Sequence, residues 1–115
     1  MRIEKFEDII SWQKARLLTI DIYNTFKNSK DFGYKNQIER ASVSIMNNIA
    51  EGFERRSNKE FRQFLFIAKG SCGEVRSMLY LAKDLKMINE EKFEEIYKLS
   101  IEISKLLSGL IKTLN

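Results

Sequence analysis

The sequence predicts an all-α fold, an antiparallel up-down-up-down four-helix bundle, and three observations carry the prediction. None of its 115 residues is proline, so nothing in the chain forbids long helices. Apolar side chains recur at three- and four-residue spacing in four separate stretches. The segments between them are short and rich in capping or turn residues, which makes consecutive helices antiparallel neighbours. The expected helices run approximately over 9–28, 34–56, 58–86 and 90–114, in a single domain spanning 1–115.

Phe6, Ile9 and Ile10 lead into the first helix, with Asp8 or Ser11 as the side chain that caps its orphan N–H groups. Trp12, Ala15, Leu18, Ile22 and Phe26 then give its inward stripe, with Trp12 as a core or interface anchor. The break from Asn28 to Gly33 offers Asp31 as the next cap and Gly33 as a residue free to take a positive φ.

The second helix is apolar over an arc of roughly 200°, where a surface helix needs about half that. Ile38, Ala41, Ile45, Ile49 and Gly52 belong to the monomer core, and Val43, Met46, Ala50 and Phe53 form a second stripe. Either the helix lies deep in the monomer or the second stripe packs on another subunit. A four-helix bundle has no central helix, which favours the subunit contact. Glu39 belongs at a rim, and Glu51 sits four residues before Arg55, the favourable order for a helical ion pair.

Ser57 and Glu60 have the spacing of a capping box, so a third helix starts after a tight corner. Phe61, Leu65, Ala68, Cys72, Val75, Leu79 and Ala82 follow an unbroken four-three spacing, the seam of a bundle. Phe64, Ser71, Met78 and Leu85 form a line beside it. Gly70 and Gly73 each cost about 1 kcal/mol relative to alanine, which implies close approach of another backbone. Asn89 caps the last helix, Glu90 and Glu91 suit its positive end, and Phe93, Ile96, Ser100, Ile103, Leu107, Leu110 and Leu114 face inward.

Composition narrows the function. Apolar residues make up 43% and charged residues 31%, a balance that excludes a disordered chain. The chain has no histidine and a single cysteine, Cys72, so triads, zinc sets and disulfides have no material; Cys72 reads as a small buried hydrophobe. No cofactor, metal or small-molecule substrate is expected, and the protein reads as non-enzymatic. The start of the chain lacks a signal-peptide core and no apolar run approaches a membrane span, so a cytoplasmic location without membrane contact is expected.

The net charge of +4 arises in the first 70 residues, which hold thirteen Lys and Arg against nine Asp and Glu. Arg55, Arg56, Lys59 and Arg62 gather at the corner between the second and third helices, with Arg40 on the second helix as a further cation. Such a cluster can hold phosphates of RNA or DNA. A solvated bundle end with local ion pairs accounts for the same residues.

The stretches FEDIISWQKA, QIERASVSIMNNIAEGF and RRSNKEFRQFLFIAKGSCGEV resemble the small helical proteins encoded in intervening sequences of bacterial 23S rRNA genes. That family, often labelled as a 23S ribosomal protein family, is similar to the accessory variability determinant of diversity-generating retroelements. The resemblance spans nearly the whole chain. It implies a four-helix bundle assembled as a homopentamer, with basic surfaces that contact nucleic acid. Glu39 stands where the family usually has a basic residue, and Met46 where proline is common. The two function hypotheses are a nucleic-acid-binding oligomer and a protein-interaction scaffold that docks a partner such as a polymerase or reverse transcriptase.

Overall fold

A computed structural model of the chain describes residues 3–114. Four helices follow a short 3-10 turn at Phe6–Asp8: α1 (Ile10–Phe26), α2 (Phe32–Phe53), α3 (Asn58–Asp84) and α4 (Glu90–Lys112). Each helix packs on its sequence neighbour and α4 closes onto α1; the backbones of the diagonal pairs, α1 with α3 and α2 with α4, lie farther apart. This is the up-down-up-down arrangement. Its length of 43 Å is set by α3, whose 27 residues span about 40 Å at 1.5 Å each.

The core is the predicted set of stripes. Leu18, Ile22, Ile38, Ile45, Ile49, Leu65, Leu79, Ile96, Ile103 and Leu107 are fully buried. Each stabilises the fold by about 1.5–3 kcal/mol relative to an exposed position. Every member of the α3 seam from Phe61 to Ala82 is buried. Burial and the nearby charge of Asp31 push the Tyr34 phenol above its ordinary range, and its hydroxyl donates to the Met78 carbonyl at 2.7 Å. Burial also lifts the Cys72 thiol to about 12, against a weaker downward pull from Arg76.

The cap residues at Asp31, Ser57 and Asn89 accept from the backbone N–H groups of Tyr34, Glu60 and Lys92. Several local expectations are corrected. Helix α1 starts after Ile9 with no side-chain cap, because Ile9 is 3% exposed and its burial in the core fixes the entry of the chain. Asp8 instead closes the 3-10 turn. Gly33 is helical; among the described residues the only positive φ outside glycine belongs to Lys86, and no glycine has one. Lys86 at φ 59° ends α3 with its N–H on the Lys83 carbonyl and the Met87 N–H on that of Ala82, the paired bonds of a Schellman turn. At Ser57 only half of the capping box forms, since the hydroxyl also donates to the Glu60 carboxylate at 3.3 Å. Leu85 is 59% exposed, and at the end of α4 Ile111 takes the buried position expected of Leu110 and Leu114.

Glycine roles also change. A Cβ on Gly70 would meet nothing within 4 Å, and one on Gly73 only the Arg76 guanidinium. The close approach is at Gly52, where a Cβ would lie 2.6 Å from that of Phe64.

Candidate nucleic-acid interface

Helix α2 ends at Phe53, and the Glu54 N–H donates to the Ala50 and Glu51 carbonyls. Residues 54–57 then turn the chain back, with Ser57 extended at φ −129° and ψ 152°. The corner encloses a cleft of about 380 Å³ whose lining includes Arg55, Arg56, Ser57 and Asn58 together with Phe53 and Phe61. The first N–H groups of a long helix thus open beside two arginines, an arrangement that favours anions.

The predicted cations are not equivalent. Arg55 pairs with Glu51 at 3.1 Å, as the sequence spacing indicates, and its guanidinium lies 4.9 Å from the Phe64 ring centroid. It is committed to local contacts. Arg56 and Lys59 are exposed and form no ion pair among the described residues. Arg62 is half-buried; its Nε is shielded without an acceptor, and its guanidinium lies 6.0 Å from the Phe66 centroid. Arg40 is exposed on α2, about 20 Å along the helix from the corner, so the fold does not bring it to the other four.

The second stripe of α2 divides as well. Phe53 stacks edge-on against Phe61 at 5.9 Å and lines the corner cleft. Val43, Met46 and Ala50 are half-buried on the flank shared with Ser42, whose carbonyl accepts from Thr19 of α1. Beside them α1 exposes Ile20 (48%) and Tyr23 (44%), and Leu17 is 58% exposed. Sequence reasoning missed these three. The signal was there, since they interrupt the polar side of an otherwise amphipathic helix.

Among the described residues no group of three or more His, Cys, Asp or Glu is placed to hold a metal ion, and no helix is long and apolar enough to cross a membrane. Fold and corner together define a small helical bundle with a basic end and half-buried apolar flanks. The chain belongs to the family of 23S rRNA-intervening sequence proteins, whose sequence profile matches residues 7–109. It is similar to a protein of unknown function from the S23 ribosomal protein family of Bacteroides thetaiotaomicron VPI-5482, known from a crystal structure. The identity is 31%, with a TM-score of 0.84 over 90% of this chain and 99% of the other. It is also 24% identical over 91 residues to a cysteine–tRNA ligase of Mycoplasmopsis pulmonis (strain UAB CTIP); the match covers 79% of this chain and only 15% of the ligase.

Proposed function

We propose that this protein is a non-enzymatic, self-assembling cytoplasmic bundle that binds RNA or DNA mainly through phosphate contacts. The observation that carries the reading is the pair of unpaired cations, Arg56 and Lys59, at the N-terminal end of the 27-residue helix α3. Similarity to a segment of a tRNA ligase, an enzyme named for an RNA substrate, and membership of a family named for 23S rRNA support the same chemistry. The assembly brings Val43, Met46 and Ala50, with Ile20 and Tyr23 of α1, against a second copy. Five copies is the number that the family resemblance implies.

The test is fluorescence anisotropy with short RNA and DNA oligonucleotides across a salt series. Binding should weaken steeply with salt, and Arg56→Gln with Lys59→Gln should lower the slope of log K against log salt by about 1.5. A protein that binds neither nucleic acid at low salt refutes the reading. Sedimentation of the wild type and of Met46→Lys tests assembly; a monomeric wild type removes it.

A protein-docking scaffold is the second reading, favoured by the exposure of Leu17, Ile20 and Tyr23 on one helix. On that reading Ile20→Lys abolishes capture of a protein partner while Arg56→Gln leaves it intact.

A further inference from the structure

The outward side of α3 repeats the spacing of its core. Ile67, Gly70, Glu74, Ser77, Leu81 and Asp84 follow an unbroken three-four pattern, and all are exposed. They stand two residues on from the buried seam, about 200° round the helix, and so point away from the core. A solvated helix face is polar, whereas this one carries Ile67 and Leu81 with Phe66 and Tyr80 beside them, each about half exposed. An apolar line at heptad spacing suits a helix that meets another helix on its second side. The bundle itself has none to offer there, because α2 and α4 occupy the flanks of α3 and α1 is diagonal to it.

The face is complementary to itself. Its apolar ends, Phe66 with Ile67 and Tyr80 with Leu81, lie about 21 Å apart, evenly to either side of Gly73 and Glu74. Between them Gly70, Gly73 and Ser77 keep the surface low, and a Cβ on Gly70 would meet nothing within 4 Å. Turning a second copy end for end about an axis near Gly73 would set Phe66 and Ile67 of each against Tyr80 and Leu81 of the other. The small residues would then lie at the crossing, where they let two backbones come close.

Charge follows the same symmetry. Glu74 makes no ion pair among the described residues and accepts a long bond, 3.5 Å, from Gln37. Arg76 also has no carboxylate partner among them. Its Nη2 lies 3.7 Å from where a Gly73 Cβ would stand, beside the crossing, and its Nη1 is shielded without an acceptor. In the antiparallel pair Glu74 of each copy would stand level with Gly73 of the other, next to Arg76. Each copy thus offers the carboxylate that the other's guanidinium lacks.

We propose that α3 pairs antiparallel with α3 of a second copy about a two-fold axis near Gly73. The contact is separate from the α2 flank and uses neither Arg56 nor Lys59, so it goes beyond the function proposed above. A strip one helix wide is smaller than the roughly 800 Å² per partner of a standard interface, so the affinity is micromolar.

Sedimentation of the full chain over about 5–500 µM tests it. At the top of that range Leu81→Lys should lower the mass of the largest species at least twofold, and Ile67→Lys should do the same. Gly70→Gln, whose Cβ enters open space, should keep the wild-type circular dichroism and weaken pairing about tenfold. Glu74→Lys, which sets like charges across the axis, should weaken it about tenfold at low salt and less at high salt. Met46→Lys, which opens the α2 contact, should still dimerise, and adding Leu81→Lys should leave a monomer.

Equal masses for the wild type and Leu81→Lys across the range overturn the proposal, and assembly through α2 then stands or falls by Met46→Lys alone. A folded Met46→Lys protein that is monomeric at the highest concentration also overturns it. So does a mass in that background that climbs past two copies, since a two-fold contact closes on itself.

Discussion

Helix α3 packs against α2 on one flank and α4 on the other, and the two junctions are closed by different physics. Toward α2 the backbone comes close at Gly52, the Ser44 and Ser71 hydroxyls share a hydrogen bond at 2.9 Å, and the Tyr34 hydroxyl reaches the Met78 carbonyl. Toward α4 an aromatic cluster of Tyr80, Phe93 and Tyr97 and the Lys83–Glu90 pair close one end, and the half-buried α3 cations Arg62, Lys69 and Arg76 run along the rest. The difference shows what a bundle junction requires. Leu65, Cys72 and Leu79 share one sealed core with Ile38, Ile45 and Ile49 of α2 and with Ile96, Ile103 and Leu107 of α4, so the rim chemistry is free to differ.

The largest expected effect is alkaline and strikes the sealed interior. Cys72 and Tyr34 are kept neutral by burial, so the folded chain holds these protons more tightly than the unfolded chain. Stability is intact below 9.0, the ordinary thiol value, and falls as pH rises toward about 12. The thiol's share of the loss is on the order of 4 kcal/mol. Denaturant midpoints across this range measure it, and Cys72→Ala should retain only the Tyr34 part. A wild-type midpoint flat to pH 11 would show that the thiol ionises as freely folded as unfolded.

Next in size is a contrast between two glycines. Gly52→Ala should destabilise by about 3 kcal/mol, because the new methyl meets Phe64 at 2.6 Å with backbone close behind. Gly70→Ala should instead stabilise by about 1 kcal/mol, since its Cβ enters open space and helix propensity improves. Chemical denaturation of both variants decides the matter, and effects of the same sign would erase the asymmetry between the flanks.

The smallest effect belongs to the cationic junction. Phe66→Glu, four residues after Arg62 and three before Lys69, should raise stability by about 0.5 kcal/mol at low salt, and the gain should vanish at high salt. A salt-independent change in Tm would mean that the new carboxylate does not sense the α3 cations.

Much of this was legible before any coordinates. The α3 seam follows from its four-three spacing, and the caps at Asp31, Ser57 and Asn89 from side chains whose oxygen must reach the next turn. Where local rules failed, tertiary packing had overridden them. Burial of Ile9 set the start of α1, and close approach chose Gly52 over the more conspicuous Gly70 and Gly73. The Glu51–Arg55 pair was readable, yet its consequence, that Arg55 is already engaged, needed the Phe64 contact as well. The half-burial of the α3 cations Arg62, Lys69 and Arg76 could not be seen in one helix alone, because it depends on how closely a second helix packs beside them.

That packing is held by the Schellman turn at Lys86 and by the apolar stripe of α4. Rotating α4 away from the α3 cations would carry Ile103 and Leu107 toward water, at about 1.5–3 kcal/mol for each. Arg62, Lys69 and Arg76 also ride on one rigid helix, at levels about 10.5 Å apart, so their spacing is fixed. They hold a standing positive potential along one side of α3, and its first influence on a polyanion is on the rate of encounter, before any close contact forms.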